Sequence, residues 1–130
     1  MYELRIRDYC FIAHSLRDKY FGPAENLHGA TYIVDLILTS SSLNNKNVIM
    51  DIGKATDMLK SIISKYNYKN LDEIADLKDI LTTTEFMAKK ITEDIYDYLI
   101  NNNEPIDTLK LIKIILKENH LASASYNKNL

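Results

Sequence analysis

The sequence predicts an α+β fold, an antiparallel β-sheet carrying two helices on one face, with the order β-β-α-α-β-β. Three observations lead there. Residues 2–14 and 28–39 are rich in apolar, β-branched and aromatic side chains, with a polar loop between them. Residues 53–66 and 82–102 repeat apolar residues at helical spacing. After Pro105 a long apolar, β-branched run returns. Strand pairs at both ends of the chain with helices between them make a sheet with the helices segregated to one face.

Each element has its own signature. In the first strand Tyr2, Leu4 and Ile6 alternate with Glu3, Arg5 and Arg7 before the run turns apolar through "YCFIAH". The loop "SLRDKYFGPAEN" contains Gly and Pro, and the second strand, "HGATYIVDLILT", follows it. "SSSLNNKN" is a turn cluster. The first helix stacks Ala55, Met58, Leu59, Ile62, Ile63 and Tyr66 into one stripe, and Asp51 stands where its carboxylate meets free N–H groups. In the second helix Thr82 and Glu85 have capping-box spacing, and Met87, Ile91, Ile95, Tyr98 and Leu99 form the buried face. "DTLKLIKIILKE" is the third strand, with Ile112, Ile114, Leu116 and Glu118 sharing one parity, and "LASASY" is a short fourth.

Composition bounds the function. The 130 residues are read as one domain, long enough to bury a core without disulfides or a structural metal. A net charge of −2, with basic residues scattered, argues against nucleic acid or an anionic membrane as partner. The single cysteine, Cys10, excludes an intrachain disulfide and suits a reducing cytosol. The N-terminal residues lack a signal-peptide apolar core, and no apolar run is long enough to span a bilayer, so a soluble cytoplasmic protein is expected.

The residues able to do chemistry are few. His14 closes the first strand and His28 opens the second, so a hairpin-like pairing brings the imidazoles to one sheet edge. Two readings stand: half of a metal site, or two partly buried histidines with satisfied hydrogen bonds. Cys10 lies roughly 13 Å from His14 along an extended strand, too far to share an ion, and reads as a core residue. His120 reads as a loop histidine, and Asp72, Glu73, Asp76 and Asp79 as an acidic loop that can hide a catalytic acid or base.

Taken together these segments resemble the 6-pyruvoyl-tetrahydropterin synthase family, which includes the 6-carboxy-tetrahydropterin synthases. The resemblance runs from "FIAHSL" to "KENHLASASY". Phe11–Ile12–Ala13–His14 matches the aromatic-x-Ala-His end of the family's first strand. Leu27, His28, Gly29 and Tyr32 match Leu-His-Gly-His-x-Tyr, and Asp51 with Gly53 match Val-x-Asp-Phe-Gly. Leu71 and Asp72 stand in the family's Leu-Asp-His, Thr83 and Glu85 in its Pro-Thr-x-Glu, and Glu118, Ala124 and Tyr126 in its last strands. The resemblance implies the tunnelling fold (T-fold), a homohexamer built as a dimer of trimers, and action on the side chain of a dihydropterin. It also implies pterin binding by Glu118, Thr84 and Glu85 and a zinc site that includes His14 and His28.

The chain also departs from the family pattern. The third zinc histidine is Ala30, the cysteine position holds Ala24, and the histidine beside the catalytic aspartate is Glu73. Two imidazoles alone bind zinc weakly. These losses imply either a different chemistry, with Glu25, Asp72 and Glu73 as the proton-transfer candidates, or a non-catalytic homologue that binds a pterin or purine-like ligand. Glu25 stands three residues before His28, the spacing at which a branch of the family carries a glutamate instead of the cysteine.

Overall fold

The computed structural model describes all 130 residues. Strands β1 (Tyr2–His14), β2 (His28–Ser40), β4 (Leu109–Lys117) and β5 (Ser123–Asn129), with the short β3 (Lys69–Asn70), form one sheet in the order β3-β1-β2-β4-β5. All pairings are antiparallel except β1 with β3, which is parallel. Helices α1 (Ile52–Ile63) and α2 (Thr84–Asn101) pack on one face. The β-β-α-α-β-β order holds, and the two terminal hairpins join into a single sheet because β2 pairs with β4. No helix is long and apolar enough to cross a membrane.

Side chains two apart on a strand share a face, so one parity of each strand looks at the helices. Ile6, Cys10, Ile12, Tyr32, Val34, Leu36, Leu38, Ile112, Ile114 and Leu116 do so, and all are buried with the stripes of α1 and α2. Cys10 is 1% exposed, and burial pushes its thiol up to about 12, an inert core cysteine. The turn that follows α1 is tied to α2 by the Tyr66 hydroxyl, which donates to Asp94, while Lys90 pairs with the same carboxylate at 2.8 Å.

Several boundaries differ from the sequence expectation. Helix α1 stops at Ile63, and Tyr66 sits in the following turn although it keeps its buried place. The expected capping box of Thr82 and Glu85 does not form. Thr83 is the N-cap and its hydroxyl accepts from the Phe86 N–H at 3.1 Å, so α2 begins at Thr84. Thr82 is buried and turned toward β1 instead, because an inward-facing histidine competes for its hydroxyl. Asp51 caps α1 as expected, accepting from the Lys54 N–H at 3.0 Å. The β3 bridge and the 3-10 segment Lys19–Glu25 carry too few residues to show a period.

Candidate functional site

The β1–β2 register sets His14 directly opposite His28. Both belong to the parity that faces the helices, and their rings meet edge to face with centroids 4.6 Å apart. The His14 Nδ1 is hydrogen-bonded to the Thr82 hydroxyl at 3.0 Å. The His28 Nδ1 lies 2.8 Å from the Asn26 carbonyl oxygen. A carbonyl only accepts, so Nδ1 is the donor, and in the neutral ring the lone pair is on the His28 Nε2. The His14 Nε2 is buried without any hydrogen-bond partner. Burial, then the neighbouring His28, holds the His14 imidazole below its ordinary range, against the opposing pull of Thr82, Glu118 and Asp72. A neutral imidazole is the form that ligates a metal.

Glu118, the residue just past the end of β4, completes the cluster. Ile33 pairs with Lys117, so the next residue of the chain comes alongside Tyr32 at the same end of the sheet. Its carboxylate accepts from the Thr84 hydroxyl at 3.2 Å, which places the first residue of α2 at the site. Donor atoms of His14, His28 and Glu118 lie within 4.8 Å of one another. The buried Tyr32 hydroxyl has no hydrogen-bond partner, and burial, with the Glu118 charge second, raises its phenol. A pocket of about 120 Å³ opens beside the cluster, lined by Thr84, Glu85, Glu118, Ala122, Ser123 and Ala124. The donor set, two imidazole nitrogens and one carboxylate around an unsatisfied buried nitrogen, fits a divalent metal ion.

The remaining candidates are placed as follows. Ala30 shares the parity of His28 and packs against the core. Glu25 is half-buried, immediately before the residue whose carbonyl holds His28. Asp72 accepts from the Ser15 N–H at 3.1 Å and from the Ser15 hydroxyl, with the Arg17 guanidinium 3.7 Å away, so it grips the chain just beyond His14. Glu73 is exposed in a separate depression with Tyr68, Lys69, Asn70 and Ile74. Glu85 is exposed at the pocket rim, and His120 is exposed in the β4–β5 connection. The sequence reading missed Thr82, Asn26 and Tyr32. Thr82 carries a signal only in hindsight of the register, since three consecutive threonines offer equivalent caps.

A family model described as 6-pyruvoyl tetrahydropterin synthase matches residues 3–129. The 6-carboxy-5,6,7,8-tetrahydropterin synthase of Aquifex aeolicus is 24% identical over 134 residues, covering 89% of this chain and 83% of the relative. The 6-pyruvoyl tetrahydrobiopterin synthase of Dictyostelium discoideum is 28% identical over 104 residues, covering 78% and 73%. Among solved structures, the Caenorhabditis elegans 6-pyruvoyl tetrahydropterin synthase superposes with a TM-score of 0.85 at 18% identity, over 98% of this chain and 96% of that one. The Plasmodium vivax 6-pyruvoyl tetrahydropterin synthase gives 0.81 at 13% identity, over 99% and 98%. Structural likeness at such identities establishes the T-fold. The family match, which spans nearly the whole chain at low identity to each relative, makes this protein a divergent member of the 6-pyruvoyl tetrahydropterin synthase family.

Proposed function

We propose that the cleft formed by His14, His28, Glu118 and the start of α2 binds a dihydropterin and that the protein acts on its side chain as a lyase or synthase. One observation carries this reading: an inward-facing carboxylate, Glu118, stands beside two imidazoles at the mouth of a pocket. A carboxylate accepts from adjacent N–H donors, which is what the aminopyrimidinone edge of a pterin presents. Thr84 holds that carboxylate, and Glu85 lines the same pocket. The curated relatives named above are pterin synthases, which supports the same ligand class.

Zinc would be held by His14 and His28 and would polarise an oxygen on the ligand side chain. Among the proton-transfer candidates Glu25 is favoured over Asp72 and Glu73. It is half-buried next to the His28 anchor, whereas Asp72 is occupied by Ser15 and Arg17, and Glu73 reaches solvent. A Plasmodium vivax 6-pyruvoyltetrahydropterin synthase has a glutamate as its catalytic residue, which supports the same choice. The second reading, a non-catalytic homologue that binds a pterin or purine-like ligand, is favoured by Ala24 and Ala30 standing where the family pattern has a cysteine and a zinc histidine. The assembly we propose is a homohexamer, a dimer of trimers, because β5 leaves one edge unpaired and the two-residue β3 covers little of the other.

Incubation with dihydroneopterin and its triphosphate, followed by mass spectrometry of products and bound ligand, tests the reading. Conversion that is lost in Glu25→Gln supports the lyase or synthase. Stoichiometric binding without conversion supports the second reading. Neither binding nor conversion overturns both.

A further inference from the structure

We propose that Tyr32 is a positioning residue for ligand recognition, its buried hydroxyl serving as a second donor to the Glu118 carboxylate when that carboxylate engages the N–H edge of a pterin. The inference rests on the functional reading of the cleft and adds to it a residue that does not itself line the pocket.

Two buried side-chain atoms lack a hydrogen-bond partner, the His14 Nε2 and the Tyr32 hydroxyl. The first belongs to the histidine pair. The second is not used by any contact described so far. Tyr32 is 1% exposed and packs in the core, opposite Cys10. A phenylalanine would fill that space equally well, whereas an unpaired phenol loses its bonds to water without replacement. Such an atom calls for a partner, and the register shows which group can supply one.

Ile33 pairs with Lys117, so Tyr32 and Glu118 are cross-strand neighbours on the inward face. Opposed side chains of such a pair start about 5 Å apart at Cβ, within reach of each other. Burial, then the Glu118 charge, raises the phenol, so the hydroxyl stays protonated and is the donor toward a carboxylate. Thr84 pulls the phenol the other way, but its own hydroxyl donates to Glu118 Oε2 at 3.2 Å and makes no hydrogen bond with Tyr32. Glu118 is only half-buried, so its carboxylate has the freedom to turn toward the phenol.

The acceptor count closes. An ionised carboxylate offers about four lone-pair sites. Thr84 takes one, two face the adjacent N–H groups of the ligand, and one is left for Tyr32. A carboxylate grips two adjacent N–H groups only when its plane coincides with theirs. One rotatable threonine hydroxyl leaves that plane free to swing. A second donor, on a ring whose torsions are held by the core, fixes it.

In the test, full-length wild type and Tyr32→Phe are titrated with dihydroneopterin by calorimetry, and both are unfolded in urea without it. Tyr32→Phe should raise the urea midpoint, because an unpaired buried hydroxyl is removed. It should also weaken dihydroneopterin binding about tenfold, because a donor to a charged acceptor is lost. Opposite signs separate positioning from a structural role, which would lower both. The second readout is the ζ-carbon resonance in protein labelled at that atom of tyrosine. The Tyr32 signal is identified among the nine tyrosines by its loss in Tyr32→Phe, and it should move when dihydroneopterin is added to the wild type. Wild-type binding with unchanged affinity in Tyr32→Phe overturns the proposal and leaves the functional reading standing. A lower or unaltered urea midpoint, or an unmoved resonance, does the same. No binding by the wild type overturns both.

Discussion

Asp35 is a fully buried carboxylate on the sheet face that points away from the helices. The register sets Arg7 directly opposite, and its guanidinium binds both carboxylate oxygens, at 2.6 and 2.9 Å. The Arg7 hydrogen bonds hold the Asp35 carboxyl below the usual carboxylate range; burial opposes them, and the charges of Arg7, Arg5 and Lys117 add to them. A carboxyl with its folded value depressed stabilises the fold above its unfolded value, about 3.9, and that stabilisation is lost as pH falls through the folded value. Arg7→Met should therefore lower the urea midpoint at pH 7 and shrink the further loss seen on going from about pH 5 to about pH 3. Equal acid sensitivity in variant and wild type would mean that other carboxylates govern it. At the histidine pair, Ala30→His adds an imidazole on the face that His28 already occupies, and should raise zinc affinity at least about tenfold in a competition titration of Co²⁺ against Zn²⁺.

The start of α2 does two jobs with consecutive threonines. Thr83 caps the helix, so Thr83→Ala should cost about 1 kcal/mol in urea unfolding and leave metal uptake unchanged. Thr82 instead supports His14 from behind, so Thr82→Val should weaken Zn²⁺ binding about tenfold or more with the helix intact. Circular dichroism separates the two effects, because a frayed helix would lower the helical signal. Identical behaviour of the two variants would show that Thr82 acts only through the helix terminus.

For the whole molecule, one core spans the inner face of the sheet and both helices, and Leu36 lies fully buried within it. Leu36→Ala should cost about 2–5 kcal/mol, read from the urea midpoint, because the closely packed surroundings cannot collapse into the space. The outward face and the sheet edges are the surfaces that the proposed hexamer would use. Tyr9 and Phe11 are 51% and 40% exposed there, and Phe11 stacks on Tyr68 at 5.3 Å. Sedimentation velocity at micromolar concentration should give six copies per particle; a stable monomer would remove the proposed hexamer and any cleft shared between copies.

The order of elements, the inward parity of Ile112, Ile114 and Leu116, and the meeting of His14 with His28 were all legible in the sequence, because they follow from local periodicity and one short loop. The pairing of β2 with β4 was not, since nothing in either strand names its neighbour across the intervening helices. That pairing decides where Glu118 stands. The same long-range packing sends Thr82 to His14, leaves Thr83 as the cap, and ties Asp72 to Ser15 and Arg17. Local chemistry thus determined which residues the chain can use. Only the tertiary structure decided which of them meet, because a site assembled from strands far apart in sequence has no local signal.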